Sequence, residues 1–315
     1  LLCNFDCRSH VRDAERFLTF SFLENGEVKM PAPMAIRRVI IVVLDGLRPD
    51  AIDAFDLSNI RDMAANGAST MSARTVSPSC TWPAITSLLS GVPPETHGIL
   101  RDSPRVPRPK TPILTLPALL SQSDLPSAVF MRGLPALYRV TARRIAKRLG
   151  FAKASFAGTT AQEVIVSASE TLRTQERGLI VIHWADADQA GESHGWMTKE
   201  YADACRRLDH GVGLLMKLIS FTSDPHTLVI ALADHGGGGV TVNDHSEEHP
   251  LNWTIPLVLG GASVQRTTLE RAHLLDVPAT AAWALGVAPP DTYVGRPLME
   301  AIVADDVEVP TAAVA

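Results

Sequence analysis

Three carboxylates and two imidazoles stand where they could gather around a divalent ion: Asp45, Asp188 and Asp234, with His235 and His245. These are hard or borderline ligands of the kind that suit zinc or manganese. Asp45 follows the apolar run Arg38–Leu44, Asp186 and Asp188 follow Gly178–Trp184, and Asp234-His235 follows Thr227–Leu232. Any one of them alone is weak evidence, because a single Asp after a strand serves equally as a helix N-cap or turn residue. The weight comes from three strand ends carrying the same chemistry. Asp234-His235-Gly236-Gly237-Gly238-Gly239 is the most specific piece. Adjacent Asp and His reach one ion only where the backbone turns sharply, and the four glycines permit that.

A hydroxyl completes the set. In Cys80-Thr81-Trp82-Pro83-Ala84, Pro83 suits the first turn of a helix and Gly91 its end, which puts Thr81 at a helix N-terminus. Free N–H groups and the helix dipole favour an anion there. A Thr hydroxyl is a poor nucleophile, and metal coordination is the usual way to activate it. The local sequence also reads as a plain Thr N-cap.

These groups must be positioned by a scaffold, and the chain supplies one. Continuous β-branched runs that stop at a carboxylate or a glycine are the signature of buried parallel strands whose C-terminal ends open into a site. Ile255–Leu259, ending at Gly260-Gly261, is a fourth such run. Helical patterns over Ile60–Asn66, Ala161–Arg173 and Lys199–Ile219 lie between the runs. Strands alternating with helices predict an α/β fold, a mostly parallel central sheet covered by helices on both faces. One domain is expected over 36–305, preceded by an extension at 1–35 and followed by a tail at 306–315. The basic stretch 131–157 reads as a small insertion near the crevice or, more plainly, as a solvated helix face.

The bulk numbers fit an ordinary soluble chain able to bury a sizeable core. The chain has 315 residues, 46% hydrophobic and 20% charged, with a formal net charge of −5. That balance argues against a nucleic-acid polymer as partner. No apolar run approaches the length of a membrane span, so no membrane is expected as partner. The N-terminal stretch lacks the basic-then-apolar order of a signal peptide, from which a cytoplasmic location follows as the expectation. Cys3, Cys7, Cys80 and Cys205 are too few and scattered for a disulfide framework.

Taken in order, these motifs resemble the alkaline phosphatase superfamily, and most closely its nucleotide pyrophosphatase/phosphodiesterase branch. The matching stretches are Val42–Asp50, Cys80–Pro83 with Gly91–Ile99, Asp188-Gln189-Ala190-Gly191 with Gly195, and Ala233–Gly237. Asp276–Thr280 through Leu285-Gly286-Val287 to Gly295-Arg296 is also similar, so the resemblance spans residues 37–302. It implies two divalent ions, zinc or else manganese, and a small phosphate-ester substrate. Asp45, Asp234 and His235 would hold one ion, which would activate Thr81. Asp188, the residue four places on, and a later His would hold the other. His245 fits that last role, with His249 as fallback, and Trp82, Arg48 and Arg132 are candidates for substrate contact.

The sequence departs from the family pattern in two places. Glu192 stands where a His is expected in Asp188-Gln189-Ala190-Gly191-Glu192-Ser193-His194-Gly195, so either Glu192 or a shifted His194 completes the second ion's ligands. With Glu192 bound, four carboxylates rather than three face two dications. One unit charge at about 4 Å is worth about 4 kcal/mol at an effective dielectric near 20. Ala84 stands where many members carry an Asn that donates to a phosphoryl oxygen. A sulfatase would need Pro and Arg at fixed spacing after Cys or Ser, which Cys80–Ala84 does not supply. A metal-binding relative without catalysis is the rival from a different class.

Overall fold

In the computed structural model of the chain, the described residues are 21–22, 28–29, 36–102 and 112–303. Cys3, Cys7 and the tail at 306–315 lie outside them. The chain divides into two compact units, 1–32 and 33–315. The first contains one antiparallel pair, β1 (Ser21–Phe22) with β2 (Val28–Lys29).

The second unit is an α/β fold around an eight-stranded sheet. Along the chain it runs β3 (Arg38–Leu44), α1 (Pro49–Ala54), α2 (Ser58–Asn66), β4 (Ala68–Arg74), α3 (Thr81–Ser90), α4 (Pro94–His97) and α5 (Leu116–Gln122). It continues through β5 (Ser127–Met131), α6 (Ala136–Arg148), β6 (Lys153–Phe156), α7 (Ala161–Thr174), β7 (Gly178–Trp184), α8 (Asp186–His194) and α9 (Lys199–Leu218). Then come β8 (Thr227–Leu232), α10 (Pro250–Trp253), β9 (Thr254–Gly260), β10 (Thr267–Thr268) and α11 (Asp276–Ala284). The strand order is β10-β4-β9-β8-β3-β7-β5-β6. Every residue of β3, β7 and β8 is buried, as continuous apolar runs in a sheet covered on both faces require. Among the helices, α2, α7 and α8 pack on α9, while α3, α5 and α11 pack on one another.

Register turns this sheet into a positioning device. Val43 of β3 pairs with His183 of β7 on one side and Leu232 of β8 on the other. The three strands therefore end level, and Asp45, the start of α8 and Asp234 emerge side by side at one edge.

The run at Ile255–Leu259 differs from the other three. β9 pairs antiparallel with both β8 and β4, whereas the remaining neighbours are parallel. The link from β8 through α10 stays at the edge where Asp234 emerges, so the next strand has to run back. Gly260-Gly261 consequently lies at the opposite edge, and the link itself carries His245 past the site. The basic stretch 131–157 is carried by the sheet itself: α6 connects β5 to the edge strand β6, which pair in parallel.

Candidate metal centre

The turn after β3 is locked before any side chain acts. Gly46 has φ 71°, and a Cβ there would come within 2.7 Å of the Asp188 backbone, so only glycine brings β3 and α8 this close. The Gly46 carbonyl accepts from Trp196 Nε1 at 3.0 Å and from the Tyr201 hydroxyl at 2.9 Å. Asp188 N donates to the Asp45 carbonyl at 3.0 Å, and Gly46 N to Asp234 Oδ1 at 3.3 Å. The backbones at Asp45 and Asp188 are thus bonded directly, and the Asp234 carboxylate is tied to the same turn.

In the Gly236–Gly239 stretch, sharp turning explains one glycine only. Gly238 has φ 73°. Gly237 is needed because Trp196 packs on it, and a Cβ there would sit 2.1 Å from the indole.

Asp45, Asp188 and Asp234 are all buried, as are His235 and His245. His235 Nε2 lies 3.2 Å from Asp45 Oδ1 and 3.9 Å from both Asp188 Oδ1 and Asp234 Oδ2. Its Nδ1 lies 2.7 Å from the Gly236 carbonyl, and His245 Nδ1 lies 2.9 Å from the Ser79 carbonyl. A carbonyl only accepts, so each Nδ1 carries a proton and each Nε2 faces the carboxylates, where it can bind an ion once it holds no proton of its own. Asp45, Asp234 and His235 form one group of close ligand atoms, and Asp188, His235 and His245 form another.

The donor set fits divalent metal. Asp188 Oδ1 and Asp234 Oδ2 are buried with no hydrogen-bond partner, a costly state for a carboxylate unless a cation faces it. Without a cation the cluster resists holding its negative charge. Burial, then the Asp45 carboxylate, pushes Asp234 up to about 7 and Asp188 well above the ordinary range. Burial opposes charge on His235 as well, yet Asp234, Asp45 and Asp188 together hold its pKa well above normal. A proton on His235 thus stands in for the positive charge that a bound ion would bring. Asp45 alone stays far below the usual carboxylate range. Burial works against it, but hydrogen bonds from His183 and His235 outweigh that.

Thr81 is the first residue of α3, and its Oγ1 sits 3.0 Å from His235 Nε2 and 3.5 Å from Asp45 Oδ1. Among the first-turn amides, Trp82 N donates to Asp102 Oδ1 at 2.8 Å and Ala84 N to the Cys80 carbonyl at 3.0 Å. Pro83 has no N–H. Among the described residues, the Thr81 amide has no acceptor and stands beside its own hydroxyl. Ala84 is buried in the core, so position 84 presents nothing to the site.

Glu192 meets the cluster from its rim, with Oε1 3.6 Å from His245 Nε2 and a half-exposed side chain. His194 lies elsewhere, lining a polar cavity of about 420 Å³ with Thr160, Asp186 and Arg207. None of the cluster residues lines that cavity. His249 caps α10, its Nδ1 accepting from Leu251 N at 3.2 Å. Arg48 does not turn to the hydroxyl. Its guanidinium pairs with Asp50 at 2.5 Å and donates to the Gly237 carbonyl at 3.3 Å, bracing the glycine loop from behind. Arg132 is exposed just beyond β5, and Trp82 is exposed at the rim beside Thr81. Asp186 holds the N-terminus of α7 through Ala161 N and pairs with Arg207. His97 is structural, buried with Nε2 3.0 Å from Ser87 Oγ.

Two residues join the site without having stood out in the sequence. His183 Nε2 lies 3.1 Å from Asp45 Oδ2. It sits inside an apolar strand, where an isolated imidazole is the only signal. Asp102 Oδ2 lies 3.9 Å from His245 Nε2, and with Cys80 the pair forms a third group of close ligand atoms. Burial, then Asp102, raises the Cys80 thiol to about 12. Nothing local distinguishes Asp102 from any loop aspartate.

A sheet edge that gathers buried carboxylates and imidazoles beside a hydroxyl at a helix start has the groups that metal-assisted ester transfer requires. The chain is similar to the alkaline phosphatase superfamily, whose members transfer phosphoryl or sulfuryl groups to water or to other acceptors. The type I phosphodiesterase/nucleotide pyrophosphatase family model matches residues 39–112, and the metalloenzyme superfamily model matches 141–289. GPI ethanolamine phosphate transferase 1 of Saccharomyces cerevisiae is 31% identical over 93 residues, covering 29% of this chain and 10% of that protein. The match thus spans about a tenth of that relative's length. Among solved structures, a 2-O GAG sulfatase aligns with TM-score 0.63 and 16% identity, over 84% of this chain and 73% of the other. Murine ectonucleotide pyrophosphatase/phosphodiesterase 5, in complex with AMP, aligns with TM-score 0.60 and 12% identity, over 81% and 96%. These structural likenesses concern the fold alone.

Proposed function

We propose that the chain is a metal-dependent phosphoric ester hydrolase of the phosphodiesterase type, in which Thr81 is the nucleophile and becomes transiently phosphorylated. The observation that carries this reading is the seat of the Thr81 hydroxyl, 3.0 Å from His235 Nε2 and 3.5 Å from Asp45 Oδ1 at the start of α3. Asp45, Asp234 and His235 would hold one divalent ion, and Asp188, His245 and Glu192 a second, zinc or manganese. Bound there, divalent metal lowers the pKa of a coordinated hydroxyl and offsets charge on the transferring phosphoryl group. Thr81 Oγ1 attacks phosphorus in line, the leaving alcohol departs, and water then cleaves the phospho-threonine. The Thr81 amide and the α3 dipole favour the phosphoryl oxygens.

Sulfatase chemistry is disfavoured by the residues rather than by the fold. Cys80 is buried with its thiol raised to about 12, and it is Thr81 that lies against the cluster.

A second reading shares the first half of this reaction. The yeast relative is an ethanolamine phosphate transferase, and an alcohol in place of water would make this chain a transferase. Exposed Trp82, bonded through its amide to Asp102, and the Asp102 and Glu192 carboxylates that both approach His245 suit an ammonium-bearing headgroup.

The test is turnover of bis-p-nitrophenyl phosphate and p-nitrophenyl phosphate after chelation and return of zinc, manganese or magnesium. The expected result is metal-dependent diester cleavage that disappears in Thr81→Ala. Turnover that survives Thr81→Ala would exclude the nucleophile assignment. Metal binding with no turnover of any ester would favour a non-catalytic relative.

A further inference from the structure

Helix α6 fits none of the roles assigned so far. It contains Arg139, Arg143, Arg144, Lys147 and Arg148, with no acidic residue between Asp124 and Glu163. None of these five side chains forms an ion pair among the described residues, although the chain as a whole carries a net charge of −5. Only Ala146 of the helix is buried. Leu137, Tyr138 and Val140 are 80%, 59% and 54% exposed. A merely solvated basic face does not require three large apolar side chains within four residues.

At helical spacing, Ala142, Ile145, Ala146 and Leu149 share the inward stripe and are the less exposed residues. The opposite face then carries Leu137 and Val140 among Arg143, Arg144, Lys147 and Arg148. Basic side chains around apolar ones on a single surface helix are what an interfacial helix presents to an anionic bilayer. A nucleic acid would use the charges and leave Leu137 and Val140 without a partner.

Placement gives the helix a purpose. Met131, the last residue of β5, pairs with His183, whose Nε2 is 3.1 Å from Asp45. Because α6 starts just past β5, its N-terminal turn stands at the sheet edge that bears the metal centre.

We infer that α6 docks the protein on anionic phospholipid surfaces, with Leu137 and Val140 entering the headgroup boundary and the basic residues pairing with lipid phosphates. Docking through that turn points the Thr81 edge of the sheet toward the headgroups. This is surface attachment, distinct from crossing the bilayer, and no described helix is long and apolar enough to cross. It departs from the expectation that no membrane takes part. The inference does not depend on which ester the site cleaves.

The test is co-sedimentation of the full chain with vesicles of phosphatidylcholine alone or mixed with phosphatidylglycerol. Binding is expected to the anionic vesicles only, weakening as salt is raised. Arg143→Glu with Arg144→Glu should lower vesicle binding at least about tenfold. Leu137→Ser with Val140→Ser should weaken it while leaving its salt dependence intact. Both pairs lie on the surface, so circular dichroism and turnover of a soluble ester should match wild type. Equal binding to neutral vesicles, binding unaffected by the charge reversals, or tighter binding to duplex RNA than to vesicles would each overturn the inference.

Discussion

The imidazoles of His235 and His245 stack with centroids 3.9 Å apart and planes only 10° from parallel. Two rings held so close would repel if both were protonated, and His235 does depress the His245 pKa after burial has lowered it. Each ring is anchored through Nδ1 to a backbone carbonyl, so the stack presents two Nε2 atoms to the same carboxylates. The pair makes a stepped ligand array from residues on one connecting link.

Loss of one ring should therefore cost one ion. In His245→Ala, zinc bound per chain is expected to fall by one, with the group of Asp45, Asp234 and His235 still loaded. Plasma mass spectrometry after gel filtration reads this, and loss of all zinc would show that the two groups do not act separately.

His183 is a positioning residue, since it touches Asp45 and nothing that reacts. Removing such a partner from a metal-binding carboxylate weakens affinity about 10- to 100-fold. His183→Phe should do so in zinc titration calorimetry, while His183→Asn should recover part of the loss. An unchanged dissociation constant in both variants would remove His183 from the site.

Asp102 places a negative charge beside Thr81 while it accepts from the Trp82 amide. Asp102→Asn keeps an acceptor for that amide and removes the charge. KM for dianionic p-nitrophenyl phosphate should then fall more than KM for the monoanionic diester. Asp102→Ala should also cost about 1 kcal/mol of stability in urea unfolding, through loss of the helix-start contact. Equal KM changes for both esters would argue against an electrostatic role.

His97 governs part of the acid response. Burial pushes its pKa down from 6.5 to about 4, opposed in part by the Pro83 carbonyl and Glu95. The unfolded chain thus binds the proton more readily between those values. The stability tied to neutral His97 is fully present above pH 6.5 and is lost as pH falls toward 4. His97→Gln should flatten the decline of the urea midpoint across that window, and an identical slope in both proteins would refute it.

How much of this was legible beforehand follows from physical signal strength. Asp45, Asp188 and Asp234-His235 were readable because each closes a continuous apolar strand, and strand ends in such a sheet meet at one crevice. Thr81 was readable from Pro83 and Gly91, and Gly91 does end α3 in the left-handed conformation with φ 68°. The direction of β9 was not readable, because a buried strand looks the same from either end. Nor was the orientation of Arg48, whose Asp50 partner is two residues away while its carbonyl partner, Gly237, is far along the chain. Asp102 and His183 act through neighbours that only the folded chain supplies.

The reversal at β9 has a consequence for how the protein is made. Asp45 leaves the ribosome early and His245 much later, and they converge only once β3, β7 and β8 have paired and the link toward β9 has closed over them. Such non-local pairing is slow to form. A nascent chain that has emerged only through β7 contains Asp45 and Thr81 but neither imidazole of the stack. It cannot assemble either ligand group, since both need His235 and one also needs His245.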